Sequence, residues 1–433
     1  MIRNKIKSVT IMVAALAALL PLSALAFSHV TKDDPAVMNR LVQAQMVPLY
    51  MTAPKESGTL LLSDSPEYAE NDGILYSDEV KGQVRMYFYH VNQSNEPRKV
   101  VVMAYNPAKT DQVLTLDHFA YSRPSTAYYT VGKELSLLYY ETEKSVVPIT
   151  VPADGYAIIG ERLNSVVVRP DELFSGILDM TVPDTMTVSS IIMPYNANPY
   201  QFVRRLLYQA SDSSHLRGTF YGANREIRTL NKYSPDDGIG YIKLGDDLRD
   251  RFAQGRDALE NRSSSNRGNY GIDYNIDIRT KGEGLLHLYF NPQGGGYAGV
   301  LALRRSGGLK LVEIPGDPQQ YNLGDDNMYA MQYVDTFAAG EEVRVHLMPP
   351  GAANLPVRLI IVPDKILKDA MADVDYKNDE LNKVISTMDG NAQPGTAGTA
   401  EGKKDKPAQK KDTGKDIWQL MEEQQRQQSS LGN

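Results

Sequence analysis

Apolar and polar positions alternate in short runs along most of this chain, which is the mark of strands with one buried face. Val84 to Val91, Val100 to Tyr105, Gln112 to His118, Val146 to Val151 and Tyr156 to Gly160 form a first series after an opening run at Thr59 to Ser63. The turn-rich stretches "NQSNEP", "NPAKTD" and "PADG" separate them. A second series takes in Val188 to Met193, Thr219 to Tyr221, Ile272 to Arg279, Leu285 to Phe290, Ala298 to Leu303, Leu309 to Ile314, Met328 to Tyr333, Val343 to Leu347 and Pro356 to Ile361. Many short strands joined by Gly, Pro and Asn turns predict β-sandwiches.

Helical spacing is confined to a few places. Pro35 to Gln45 predicts a short helix, and Val131, Leu135 and Leu138 predict another over Val131 to Thr142. "NANPYQFVRRLLYQA" has Asn198 as a cap and Pro199 in the first turn. "GDDLRDRFAQGRDALENRSSSNRG" reads as a polar loop over the sandwich, partly helical or mobile. From Ile366 to Met388 an apolar stripe at helical spacing predicts an amphipathic helix, broken where Lys377 and Asn378 fall on the same face.

The expected class is therefore mainly β: two tandem β-sandwich domains, a few short helices, and a helical and disordered C-terminal tail. The expected division is a leader over 1–26, a lead-in over 27–57, sandwiches over 58–168 and 169–363, the amphipathic helix over 364–389, and a linker with a short terminal helix over 390–433. "VVVMAYNPAKTDQVLTL" and "LLHLYFNPQGGGYAGVLAL" repeat a strand, an aromatic-Asn-Pro step and another strand, so the sandwiches read as distant duplicates.

The first 26 residues carry Arg3, Lys5 and Lys7, an apolar run from Val9 to Leu20, and Ala24-Leu25-Ala26, the layout of a secretory signal peptide. Removing those three basic residues takes the formal charge from −7 to −10, which suits neither nucleic acid nor an anionic membrane. The sequence has no cysteine, so no disulfide or thiolate chemistry is open to it. No later segment approaches the roughly 20 apolar residues of a membrane-spanning helix. A periplasmic or extracellular location is expected; the oligomeric state is left open.

Gly294, Gly296 and Gly299 match G-x-G-x-x-G, but "VLALRR" follows as a strand where a dinucleotide site needs a helix N-terminus for the pyrophosphate. A Gly-rich hairpin or bulge is the expectation, and no cofactor is. The six histidines stand apart, without H-E-x-x-H spacing, and His90, His287 and His346 fit as satisfied sheet residues. G-x-S-x-G is absent. Acidic pairs such as Asp325-Asp326 fit solvated turns better than calcium sites.

Tyrosine is in excess, 26 against 9 Phe and 1 Trp. Tyrosine offers an apolar face and a polar tip to sugars and proteins. Tyr270, Tyr274, Tyr289, Asn291 and Tyr297 gather around the glycine loop and are the candidate ligand residues. In "DIWQLMEEQQRQQ", Ile417, Trp418, Leu420 and Met421 would share or flank one helical stripe, too short to be stable alone, and are the candidate partner residues.

"GNYGIDYNI", "GGGYAGVLAL", "MPPGAANLPVRLIIVP", "GILYSDEVKGQVRMYFYHVN" and "VVVMAYNP" resemble a group of uncharacterised exported bacterial proteins. In some of these the same β region sits beside a copper-amine-oxidase-like N-terminal module. The resemblance runs from Gly58 to Pro363 and implies an envelope location and β architecture, with no catalytic residue to carry over.

The functional expectation is a secreted non-catalytic protein that binds an envelope protein or glycan. A carbohydrate-active enzyme using two loop carboxylates, with Glu172, Asp179 and Asp273 as candidates, is the second reading. A structural part of a surface assembly is the third.

Overall fold

The computed structural model describes residues 30–205 and 207–389. Its strands are β1 (Met46–Pro48), β2 (Lys55–Ser63), β3 (Tyr68–Ala69), β4 (Gly73–Asn92), β5 (Arg98–Asn106), β6 (Gln112–Tyr121), β7 (Val147–Val151), β8 (Gly155–Ile159), β9 (Leu173–Pro194) and β10 (Arg217–Arg228). They continue with β11 (Ile239–Leu244), β12 (Ala253–Asp257), β13 (Arg262–Asn266), β14 (Asp273–Ile278), β15 (Leu285–Asn291), β16 (Gly299–Arg305), β17 (Gly308–Ile314), β18 (Gln332–Ala338), β19 (Val343–Leu347) and β20 (Val357–Pro363). The helices are α1 (Pro35–Gln43), α2 (Tyr128–Glu141), α3 (Pro199–Phe202) and α4 (Asp364–Asp389). The chain is mainly β and built of sandwiches, as its alternation predicts.

The long strands β4 and β9 organise the first sandwich. The start of β4 pairs with the end of β9, and β5 and then β8 extend that layer. Beyond Gly82, where φ is +83° and the register shifts, β4 pairs with the start of β9, which also carries β6 and then β7. The same two strands thus serve both layers. Leu61, Met86, Phe88, Val100, Val102, Leu114, Phe174, Leu178 and Val188 fill the space between them.

The second sandwich grows from the first without a break in hydrogen bonding. β2 pairs parallel to β4, and the sheet runs on through β10, β14, β19, β16 and β17. A five-stranded sheet, β1-β11-β20-β15-β18, closes over it. Phe220, Ile227, Ile276, Leu286, Leu288, Leu301, Val345, Leu359 and Ile361 form the core. Val37, Leu41, Leu367, Ala370 and Val374 of α1 and α4 cover the outer face, meeting Tyr289, Ile360 and Val362. Cover on both faces explains why β20 reads as an unbroken apolar run from Leu359 to Pro363. Past Asp379 the chain belongs to a second unit, Glu380–Asn433, of which only the end of α4 is described.

Several expectations need correction. A boundary at 168/169 does not match the pairing: β9 lies beyond it yet hydrogen-bonds to β4, β5 and β6. The polar stretch after Gly245 contains the hairpin β12–β13, whose first strand pairs with β10 at Thr219 and Phe220. Asn198 does cap a helix, accepting from the Tyr200 and Gln201 amides, but α3 is one turn continued by a 3-10 turn over Val203–Arg205. Strand β18 starts at Gln332, and the Met328 and Ala330 carbonyls before it are held by the Asn291 side chain.

The glycine loop is a connection rather than a hairpin, because β15 and β16 lie in different sheets. The aromatic-Asn-Pro steps have a shared use. Asn106 and Asn291 each end a strand, fully buried, with the side-chain amide donating to backbone carbonyls: Thr110 and Val151 for Asn106, Met328 and Ala330 for Asn291.

Candidate functional site

Where β2 leaves the sheet at Ser63, Asp64, Ser65, Pro66 and Glu67 carry the chain to β3 alongside the end of β4. The segment before β10 returns to the same place and is tied there by Asp212. Its carboxylate accepts from the Ser214 amide at 2.9 Å, the His215 amide at 2.6 Å and the Glu67 amide at 3.0 Å. An Asp that receives backbone amides two and three residues ahead makes its own turn. That turn places His215 with Nδ1 2.9 Å from Asp212 Oδ2 and Nε2 2.9 Å from Glu67 Oε2.

Burial opposes a charge on His215, but its hydrogen bonds to Asp212 and Glu67 outweigh that and push its pKa up to about 11. Burial likewise opposes the Asp212 carboxylate, and the His215 hydrogen bond holds it well below the usual range. Asp64 behaves in the opposite way. Burial, reinforced by the charge of Glu67, pushes it well above the usual carboxylate range. Asp64 is 7% exposed and Glu67 2%, and neither Asp64 Oδ1 nor Glu67 Oε1 receives a hydrogen bond.

Tyrosines surround these carboxyls. Tyr87 and Tyr89 come from one face of β4, as alternate residues of a strand must. Burial raises the pKa of both and of Tyr270, and the charge of Asp64 contributes in all three. Farther out the Tyr68 ring stands 6.1 Å from His215 and 6.5 Å from Tyr128. Tyr129 meets Tyr321 edge-on at 5.2 Å, and Tyr321 is 49% exposed. Tyr68, Tyr128, Tyr129 and Tyr270 are half-buried. The result is a seam between the sandwiches with exposed aromatic edges outside and carboxyls within.

Beside it Ser63 Oγ lies 2.8 Å from His90 Nε2 and 2.7 Å from Ser190 Oγ. The pair has the spacing of a nucleophile and its base. However, His90 Nδ1 faces the Pro66 carbonyl at 2.8 Å, burial pushes the ring down to about 4, and Ser63 is fully buried. A neutral imidazole donates to the carbonyl and accepts from Ser63, so this is a satisfied core network. His287 is also held in its sheet, by Thr336 and Asp364.

The residues expected around the glycine loop are not on a ligand-facing surface. Tyr274 is buried, its hydroxyl held by Asp250 and Asn269 at 2.6 Å each. Tyr289 donates to the Lys32 carbonyl, and Asn291 accepts from Arg358 besides holding the segment before β18. Tyr297 is packed in the core against Phe290. Only Tyr270 belongs to the seam. Ligand contact by Tyr274, Tyr289, Asn291 and Tyr297 is thus corrected: Tyr274 and Tyr297 are buried between the sheets, Tyr289 lies under α1 and α4, and Asn291 is held by its hydrogen bonds. Ile417, Trp418, Leu420 and Met421 lie outside the described residues.

Of the three candidate carboxylates, Asp179 and Asp273 accept from the adjacent hydroxyls of Tyr139 and Tyr140, while Glu172 serves a different turn. Glu172 caps the turn at Arg169, and Asp273 accepts from Tyr140. Asp179 receives both Nε and Nη2 of Arg85, at 2.7 and 3.0 Å, and the Tyr139 hydroxyl at 2.8 Å. Sequence reasoning passed over Asp64, Glu67, Asp212 and His215. The one available signal was "DSSH", an Asp three residues ahead of a His in a turn-forming context.

Among the described residues no three His, Cys, Asp or Glu side chains stand together as metal ligands, and no helix is long and apolar enough to cross a membrane. No protein-family profile and no curated protein matches the chain. Among solved structures, the CUB1-EGF-CUB2 domains of rat MASP-1 align over 70% of this chain and 99% of theirs, at 8% identity and a TM-score of 0.18. A Paenibacillus xanthan lyase aligns over 74% of this chain and 27% of its own, at 9% identity and a TM-score of 0.16. Overlaps this loose assign no activity.

Proposed function

We propose that the protein is an exported, non-catalytic envelope protein that binds a glycan in the tyrosine and carboxyl seam. The observation that carries this is the set of half-buried rings of Tyr68, Tyr128, Tyr129 and Tyr270 next to two buried carboxyl oxygens without a donor. Tyrosine faces stack on the C–H faces of sugars, and acceptors inside the seam suit their hydroxyls. The leader-like first 26 residues support export. The test is retention of the mature protein on envelope polysaccharide fractions, with Tyr128→Ala and Tyr321→Ala expected to weaken it. Retention unchanged in the double variant would refute the assignment to this seam.

A carbohydrate-active enzyme is the second reading, favoured by one feature: Asp64 is held toward its neutral form next to Glu67, as a general acid beside a second carboxyl would be. Release of reducing ends from the bound glycan, abolished by Asp64→Asn, would establish it over simple binding.

A further inference from the structure

We infer that the seam selects a ligand bearing a protonated primary amine, an amino sugar, whose ammonium sits between Asp64 Oδ1 and Glu67 Oε1. This rests on the glycan reading above and narrows its ligand class. Two buried carboxyl oxygens of the seam, Asp64 Oδ1 and Glu67 Oε1, receive no hydrogen bond, so what the ionised carboxylates lack is a donor. A buried acceptor left without a donor costs about 1–3 kcal/mol, more when charged. An ammonium supplies three donors from one atom.

The charges around the pair favour a cation over a neutral donor. Glu67, Asp212 and His215 are bound to one another, so the single imidazolium is already shared by two carboxylates. Asp64 stands outside that arrangement. Its backbone amide is bound to the Leu216 carbonyl at 3.1 Å. Arg217, the nearby guanidinium, is committed to Asp257 and Glu260 and to the carbonyls of Ser65, Leu75 and Gln209. Arriving ammonium would favour the ionised form of Asp64, so a carboxyl proton leaves to solvent as the ion pair forms. A uronate would instead set a third carboxylate against Asp64 and Glu67.

The half-buried rings of Tyr68 and Tyr128, 6.5 Å apart, and of Tyr270 would take the sugar ring. An N-acetyl group removes the charge and two of the donors while keeping the ring, which isolates the ammonium's share.

Calorimetric titration of the mature protein with a glucosamine oligomer, its fully N-acetylated counterpart and an oligogalacturonate tests this. The glucosamine oligomer should bind about ten-fold or more tighter than the acetylated one, the scale of one charge-assisted hydrogen bond. The uronate should be weakest, and proton release should appear as a dependence of the heat on buffer ionisation. Glu67→Gln should erase the preference for the amine. The comparison within the unaltered protein stands even if that variant folds poorly. Equal binding of acetylated and free oligomers overturns the amine assignment and leaves the glycan reading intact. Absence of binding by all three overturns both, and capture of a lysine-rich peptide in place of the sugars makes the ligand a protein.

Discussion

The imidazole of His215 bridges the carboxylates of Glu67 and Asp212, 2.9 Å from each, and so fastens the turn after β2 to the segment that enters β10. These two segments meet where the two sandwiches adjoin. The bridge is buried, with His215 10% and Glu67 3% exposed at the side chain, so its charges are poorly screened.

His215→Ala should lower stability by about 3–5 kcal/mol, the cost of leaving one side of a buried ion pair uncompensated. The folded pKa of about 11 lies above the unfolded value, so the imidazolium's contribution is complete below pH 6.5 and is lost as pH rises toward 11. Asp212 has the opposite sign: its folded pKa is depressed, so its contribution is present above the unfolded value and lost as pH falls into the acid range. Urea unfolding across this range should show the wild type losing its advantage over His215→Ala above pH 11. A constant difference at all pH values would show that packing, rather than charge, sets the loss.

Asp64→Asn should stabilise the unliganded protein at pH 7. The folded pKa of Asp64 is raised, so folding favours the protonated carboxyl and stability declines as pH rises through that value. The variant should melt higher than wild type at pH 7, and the two should converge near pH 3, where the wild-type carboxyl is protonated in both states. A variant less stable at both pH values would mean that Asp64 is held by bonds the amide cannot replace.

Arg85 and Asp179 form a second buried pair. Arg85 also donates to the Ala223 and Gly271 carbonyls at 2.8 and 3.1 Å and to Tyr139 at 2.7 Å, so it joins β4 to α2, β10 and the turn before β14. Arg85→Met or Asp179→Ala alone should each cost about 3–5 kcal/mol, whereas replacing both by apolar residues should recover much of the loss. Denaturant midpoints for the singles and the double form the cycle; strict additivity would contradict a shared pair. Arg85→Lys should not rescue, because an ammonium cannot reproduce the fork on Asp179.

Gly324 packs against the glycine loop and leaves no room for a side chain. Gly324 has φ +115°, and a Cβ there would lie 2.0 Å from the Gly295 carbonyl oxygen. Gly324→Ala should therefore destabilise by about 2–4 kcal/mol, summing the backbone and overlap costs. Gly307→Ala, with nothing within 4 Å, should stay within about 0.5 kcal/mol. At Gly296 the obstacle to a side chain is the Tyr129 hydroxyl, 2.3 Å from a Cβ, rather than a positive φ. Thermal melts of the three alanine variants would rank them.

Alternation along the chain determined the strands of β5, β6, β8, β14, β16 and β19, because a residue's side of a sheet depends only on its neighbours two positions away. It determined the caps as well: Asn198 accepts from the amides ahead of it as its place before Pro199 requires. Two of the sheet histidines were legible for the same reason, since His90 and His287 sit satisfied among alternating apolar residues, whereas His346 is in its sheet with a buried Nε2 that has no hydrogen-bond partner. What tertiary structure decided is which strand meets which. β9 joins three strands that precede it by many residues, and β2 leads the sheet from one sandwich into the next. The seam followed from that pairing. Glu67 and His215 belong to separate turns, and their partnership depends on β2 and β10 lying side by side, from Ser63 opposite Arg217 to Lys55 opposite Glu226. The tyrosines show the same division: composition announced their excess, but packing between two sheets committed Tyr274 and Tyr297 to the core, cover by α1 and α4 buried Tyr289, and Tyr68, Tyr128, Tyr129 and Tyr270 stayed at the seam. A polar tip on an apolar ring suits either place, so the choice is made by which sheet faces close on each ring.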